Sequence, residues 1–263
     1  MAELASLTRF SGRVLRSPVA FSVVVAFLLG AVIILLTGEN PLVAYGEMLS
    51  GAFLGSGFGN TLGRAIPIVG MALATSIPFR AGVINLGGEG QMVMGGLAGT
   101  LVAIYTPGPA WMVIPLAMLA GMAAGAAWAA VSALGQTWLR LPILISSLLL
   151  NYPARSITGY LVRFPFADPT VTSSSTVPVP PANRIPELPI FGDVSVTLLV
   201  VALLVAGLHL FNRRTILGYE TRMTGLNSRF SRYGGVEVDR QVVGVMLAAG
   251  ALSGLIGTHL VVG

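Results

Sequence analysis

From Pro18 to Thr37 the chain has no charged side chain and almost nothing polar (PVAFSVVVAFLLGAVIILLT). An α-helix crosses the hydrocarbon of a bilayer in about 20 such residues. This narrows the fold sharply, because at that depth only helices and closed barrels pair every backbone N–H and C=O. Mostly apolar runs recur at Thr61 to Phe79, Glu89 to Tyr105, Trp111 to Leu134, Pro142 to Val162, Val194 to Phe211 and Gln241 to Val262. The sequence therefore predicts an all-α protein, a polytopic transmembrane helical bundle with about seven spans in residues 18–263 behind an N-terminal arm, residues 1–17. Only 10% of the residues are charged, against about 25% in soluble domains. That excludes an ordinary soluble enzyme, a disordered protein and a nucleic-acid binder.

Arginine placement orients the spans. Arg9, Arg13 and Arg16 precede the first one and predict a cytoplasmic N-terminus. A cleaved signal peptide is the competing reading, but the apolar run exceeds the usual 7–15 residues of such a leader. Alternating spans then put Arg140 and the six-Arg stretch Asn212 to Arg240 inside. The loop 163–193, with seven prolines and the run Thr172 to Thr176, falls outside. Glu39 to Asn60, with two acids and no base, reads as another outside loop. The net charge of +5 and pI near 10.2 are explained by these inward-facing arginines, which also attract anionic membrane lipid.

The residue inventory excludes whole chemistries. All fifteen basic residues are Arg, so there is no P-loop lysine for ATP phosphates and no lysine Schiff base. Cysteine is absent. His209 and His259 lack metal-ligand spacing. The expectation is no catalytic site, no metal and no cofactor.

Two stretches are too patterned to be plain spans or tails. The first is Phe79-Arg80-Ala81-Gly82-Val83-Ile84-Asn85-Leu86-Gly87-Gly88-Glu89-Gly90-Gln91. Glycine at that density weakens a helix, and non-helical backbone at membrane depth is tolerated only against protein or a water-filled cavity. Glu89 needs a partner there, and Arg80 and Gln91 are near it in sequence. Two readings stand: a tight cytoplasmic turn with Glu89 favourably placed at the start of the third helix, or a discontinuous, re-entrant element lining a substrate pathway. The spacings Gly95-x-x-x-Gly99 and Gly121-x-x-x-Gly125 read as close helix packing. The second stretch runs from Thr215 to Arg240. Gly218, Gly225 and Gly234 punctuate short helical segments in it, and its arginines can dock on a soluble partner.

These stretches carry a resemblance. Phe79 to Gln91 resembles the F-x-x-G-x-x-N-[IL]-G-x-E-G-Q signature of bacterial ABC importer permeases in the branched-chain amino acid and ribose branch. Leu148-Leu149-Leu150-Asn151-Tyr152 resembles that branch's L-M-L-N-Y. Gly218 to Gly235 resembles its G-x-x-x-R-x-x-G-x-N…Y-x-G coupling segment, and Ser253 to Gly257 resembles part of the stretch that follows it. Within the branch the chain is most similar to nucleoside or simple-sugar permeases that work with basic-membrane-protein-type lipoproteins. Ile143 stands where an acid is usual, and Pro153 and Arg155 are unusual for a span.

The resemblance implies a permease subunit of the bacterial plasma (inner) membrane, not itself an enzyme, importing nucleosides or simple sugars. Its implied partners are an ABC ATPase subunit, a second permease subunit of the same or a different chain, and an extracytoplasmic solute-binding lipoprotein. It implies that Asn85, Gly87, Gly88, Glu89, Gln91 and Asn151 lie at the translocation pathway. It assigns ATPase coupling to residues 212–240, through Gly218, Glu220, Arg222, Gly225, Asn227, Tyr233 and Gly235. Members of the branch continue for several more spans. That leaves two readings of the end at Gly263: a truncated permease, or a whole chain with an incomplete pathway. The alternative function is an ion- or proton-coupled secondary transporter, for which Glu89 is the clear acidic candidate.

Overall fold

A computed structural model describes residues 18–188 and 194–263. The expected N-terminal arm, with Arg9, Arg13 and Arg16, and the last part of the expected external loop, residues 189–193, lie outside the described residues. The chain divides into two compact units, Met1–Thr61 and Leu62–Gly263.

In the first unit, α1 (Pro18–Leu36) has no buried residue. A helix apolar all round and buried nowhere in its own fold has lipid or another membrane helix as its natural surroundings. The stretch expected as the loop Glu39 to Asn60 is largely helical instead, as α2 (Pro41–Phe53). The reason is local: Asn40 Oδ1 accepts from Leu42 N at 3.0 Å and Pro41 occupies the first helical turn, which is a strong start signal. The Tyr45 hydroxyl donates to Phe27 O at 2.7 Å, tying α2 back to α1.

The second unit takes in most of α3 (Ser56–Arg80) and then α4 (Gly88–Tyr105), α5 (Ala110–Leu139), α6 (Ile143–Leu149), α7 (Asn151–Arg163), α8 (Thr197–Arg214), α9 (Ile216–Leu226), α10 (Ser228–Tyr233) and α11 (Val238–Val262). Among the described residues the only sheet is a two-stranded antiparallel pair, β1 (Glu187–Leu188) and β2 (Val194–Ser195), in register Glu187↔Ser195. Five described helices are long and apolar enough to cross a membrane: α1, α3, α5, α8 and α11. Two of the expected spans take a different form. Glu89 to Tyr105 is α4, an interior helix with a polar first turn. Pro142 to Val162 breaks at Leu150 into α6 and α7. Of the seven expected spans, five are thus helices long and apolar enough to cross, one is the interior helix α4, and one is broken at Leu150.

The core is a three-helix seam. α11 packs between α4 and α5, and small residues carry the contact. A Cβ added to Gly254 would strike the Gly121 carbonyl and come within 3.2 Å of Gly125 Cα, and one added to Gly96 would meet Gly257 O at 3.0 Å. Thr258 fills the space beside Gly99 and Gly121, donating to Gly254 O at 3.1 Å. The expected packing role of the Gly95/Gly99 and Gly121/Gly125 spacings is what the structure shows. The third partner, the Gly250/Gly254/Gly257 face of α11, was not among the packing motifs read from the sequence.

The proline-rich segment is ordered by tethers. Asn183 Nδ2 donates to Ala103 O at 2.8 Å and Ile185 N to Val262 O at 2.9 Å, so it closes over the ends of α4 and α11. Asp168 Oδ1 accepts from the Thr170 hydroxyl at 2.6 Å and the Thr170 amide at 2.8 Å. These two bonds, the hydroxyl first, hold the Asp168 carboxyl below its ordinary value of 3.8.

Two outcomes follow from this packing. Gly254→Leu should lower the melting temperature in detergent steeply, since overpacking a tight contact costs about 1–3 kcal/mol or more. Gly159→Ala, where nothing lies within 4 Å, should leave stability unchanged or raise it. A folded-state pKa below 3.8 means the Asp168 turn is fully supported above that value and loses support as pH falls through the lower folded value. The protection of the Thr170 amide, its exchange rate relative to that of an unprotected amide at the same pH, should therefore fall only in acid and stay flat between about pH 5 and 8.

Candidate functional site

α3 ends at Arg80, and the chain does not turn directly into α4. Residues 81–87 are non-helical. Gly82 takes φ +73°, a left-handed conformation that glycine adopts without penalty. Val83 then packs into a cluster with Ala133, Ile143, Val238, Val242 and Met246. By the time α4 starts, the chain has climbed well into the bundle. A Cβ on Gly88 would be 3.0 Å from Met71 Cε and 3.9 Å from Ser253 Oγ, and one on Gly90 would be 3.1 Å from Trp128 Nε1. Met71, Ser253 and Trp128 each lie within about one turn of the middle of α3, α11 and α5, at 3.6 residues per turn. The first turn of α4 is therefore near mid-membrane depth. The stretch expected either as a cytoplasmic turn or as a re-entrant element is an ascending, non-helical strap.

Backbone polar groups at that depth need partners, and side chains from the α6–α7 break supply them. The Ser147 hydroxyl accepts from Leu86 N at 3.1 Å. Asn151 works in both directions: its Oδ1 accepts from Gly90 N at 2.8 Å and its Nδ2 donates to Leu86 O at 2.9 Å. Asn85 Oδ1 accepts from Gly87 N at 2.9 Å, and the Asn85 and Gln91 amides pair reciprocally at 3.3 Å. Trp128 Nε1 donates at 3.2 Å to the Leu150 carbonyl, which also accepts from Ala154 N at 3.2 Å. Asn85, Gln91 and Asn151 are all buried, Gln91 to 1% exposure. Two interrupted helical elements are thus stitched together through amide side chains.

Glu89 points elsewhere. It pairs with Arg155 of α7, not with Arg80 or Gln91. Both members of this pair are partly open, Arg155 to 59% and Glu89 to 43%. Gly88 packs against Met71, and Gly87 sits under Ser147.

The second stretch docks beneath the strap. α9 starts at Thr215, whose hydroxyl accepts from Gly218 N at 3.0 Å. Gly218 lies inside α9, where a Cβ would come 2.7 Å from Asn212 Cα, and does not interrupt it. Gly225 presses on the end of α3: a Cβ there would lie 3.0 Å from both Arg80 C and Gly82 N. Asn227 caps α10 by accepting from Phe230 N at 3.0 Å. Glu220 turns inward and accepts from Gln241 Nε2 at 2.5 Å, and Thr221 donates to Gln241 Oε1 at 3.3 Å. These groups line a cavity of about 590 Å³ between α8, α9 and α11. Arg222, Tyr233 and Gly235 are exposed, Tyr233 to 92%. Ser147, Trp128, Arg155 and Gln241 were not among the residues read as functional. A lone serine, tryptophan or glutamine in an apolar run carries no motif, whereas an arginine inside an expected span was a visible signal.

The family described as the branched-chain amino acid transport system permease component matches residues 57–263. A glucose ABC transporter permease protein of Haloferax volcanii is 34% identical over 259 residues, covering 92% of this chain and 67% of that protein. A guanosine ABC transporter permease protein of Bacillus subtilis is 30% identical over 90% of this chain and 69% of its own length. A nucleoside ABC transporter permease protein of Lactococcus lactis is 28% identical over 90% and 68%. No solved structure gives a significant match.

Asn151→Leu keeps approximate size and removes both clip bonds. Leaving the buried Gly90 N–H and Leu86 C=O unpaired should cost about 1–3 kcal/mol, read as a lower melting temperature in detergent. Glu89→Gln breaks only a partly exposed ion pair, and should change stability by less than about 1 kcal/mol.

Proposed function

Because this chain belongs to the family of branched-chain amino acid transport system permease components, we propose that its strap and its α9–α10 segment work as one coupled device in an ABC importer. The chain is a multi-pass membrane permease. In the proposed arrangement it supplies one half of a translocation pathway, and a second permease subunit supplies the other. ATP is hydrolysed on a separate ATPase subunit, and an extracytoplasmic solute-binding lipoprotein delivers solute. The protein sits in the plasma membrane with its N-terminus, α9 and α10 on the cytoplasmic side.

The observation that carries this reading is the contact of Gly225 with Arg80 and Gly82. It joins the exposed α9–α10 surface to the strap that ends at mid-membrane depth. A push on α9 reaches the strap with no side chain between them to absorb it. Gln241, bonded to Glu220 and Thr221, holds the far side of α9 to α11. The exposed face offers Tyr219, Arg222, Leu226, Phe230 and Tyr233, aromatic and arginine groups of the kind that anchor protein interfaces. On this reading Arg222 and Tyr233 contact the ATPase, while Gly218, Glu220, Gly225, Asn227 and Gly235 shape and hold the segment that presents them.

Asn85, Gly87, Gly88, Glu89, Gln91 and Asn151 border the pathway, the amides as its packed wall and Glu89 as its open group. The solute is a small neutral polar molecule, a nucleoside or a simple sugar. The chemistry of the wall, together with relatives named for glucose and guanosine, supports that class. An ion-coupled mechanism gains no support from Glu89, which already has Arg155 as its partner.

Arg222→Glu should abolish ATP-driven uptake and co-purification of the ATPase while membrane insertion and melting temperature stay normal. Unchanged uptake would remove α9 from the coupling role.

A further inference from the structure

The Glu89–Arg155 pair is the charged contact closest to mid-depth among the described residues, and it is open on one side. Hydrocarbon is a poor neighbour for a charged pair, and ionisable groups at membrane depth face a bundle interior or a water-filled cavity. The pair is not isolated. On α7, Tyr152 and Gly159 lie three and four residues from Arg155 on its exposed face, and Ser156 and Tyr160 lie beside them, with Pro153 and Ile157 exposed farther round; the two tyrosines are 66% and 61% exposed. Positions three and four apart share one helix face. This mixed surface, with an arginine, a serine and two tyrosine rings beside Pro153 and Ile157, contrasts with α1, whose exposed residues are all uncharged and, apart from Ser22, apolar. α1 has the surface of a lipid-facing helix, and α7 does not.

The chemistry of the face restricts what passes along it. The pair has no net charge. The carboxylate accepts hydrogen bonds, and the guanidinium, planar and never deprotonated, donates several in a fixed fork. Two hydroxyls on adjacent carbons match both at once, one donating to Glu89 and the other accepting from Arg155. Tyr152, about one turn before Arg155, offers its amphipathic ring to the flat of a sugar. An acid would oppose Glu89 and an amine would oppose Arg155. Resting on the permease reading above, we infer that Arg155, acting with Glu89, is a solute contact that selects uncharged solutes bearing a vicinal diol, such as a ribose or hexose ring.

The test is uptake of radiolabelled guanosine by the assembled importer, with 2′,3′-dideoxyguanosine as competitor. The wild type should be inhibited at least about tenfold less well by the dideoxy compound than by unlabelled guanosine, since a site built to bond hydroxyls rejects analogues lacking them. Arg155→Gln should raise KM for guanosine and erase that discrimination, with maximal rate and melting temperature little changed. The charge-swapped double variant Glu89→Arg with Arg155→Glu should recover part of the discrimination. Should Arg155→Gln fail to reach the membrane, Arg155→Lys, which keeps the charge and loses the fork, should weaken discrimination in the same direction. Unaltered KM and discrimination in these variants, with Arg222→Glu still blocking uptake, would overturn the inference, leave the permease reading standing and give the α7 face to a protein partner. Failure of the wild type to take up either guanosine or glucose would overturn the nucleoside-or-sugar reading and this inference with it.

Discussion

Everything distinctive in this bundle depends on one requirement: a backbone group held away from water must find a hydrogen-bond partner. Residues 81–87 and the start of α4 present such groups near mid-membrane depth. Ser147 and Asn151, on either side of the break at Leu150, answer them with side chains. The two irregularities are mutually necessary. Straightening α6 and α7 into one helix would move Asn151 away from Gly90 and Leu86, and straightening the strap would leave Asn151 buried with nothing to bond.

The glycine seam is the second constraint, and it serves the first. Bringing α11 into backbone contact with α4 and α5 at Gly95, Gly121 and Gly254 makes a rigid frame. The strap runs beside that frame, and its lower end is where Gly225 presses. A device that transmits motion needs a stiff body and one compliant element. In the proposed coupling, the small-residue seam would supply the stiffness and the non-helical strap the compliance.

How much of this was legible in the sequence varied with the range of the interaction involved. The spans were read well because about 20 apolar residues are a local signal. α2 was read as a loop although Asn40-Pro41 starts a helix, because the two acids of Glu39 to Asn60 drew the reading outside the membrane. The Phe79 to Gln91 stretch was singled out by its glycines and by family resemblance. Its strap form was not, because a non-helical segment and a tight turn have the same composition. Glu89 was expected to find Arg80 or Gln91, both close in sequence. Its partner, Arg155, lies 66 residues away, and no local pattern ranks one distant arginine above another.

The sequence alone determined that the chain lives in a membrane, that it is helical, that it lacks the lysine and cysteine chemistries, and which two stretches depart from plain spans. These follow from composition and short-range pattern, which act through solvation and local sterics. Only the tertiary structure decided that those two stretches touch through Gly225 and Gly82, that the amides of Asn85 and Gln91 pair while Asn151 clips Leu86 and Gly90, and that Glu89 stands open beside Arg155. Those outcomes depend on how closely α4, α5 and α11 approach. That distance is set by which glycines meet across the seam, a fact about pairs of positions far apart in the chain.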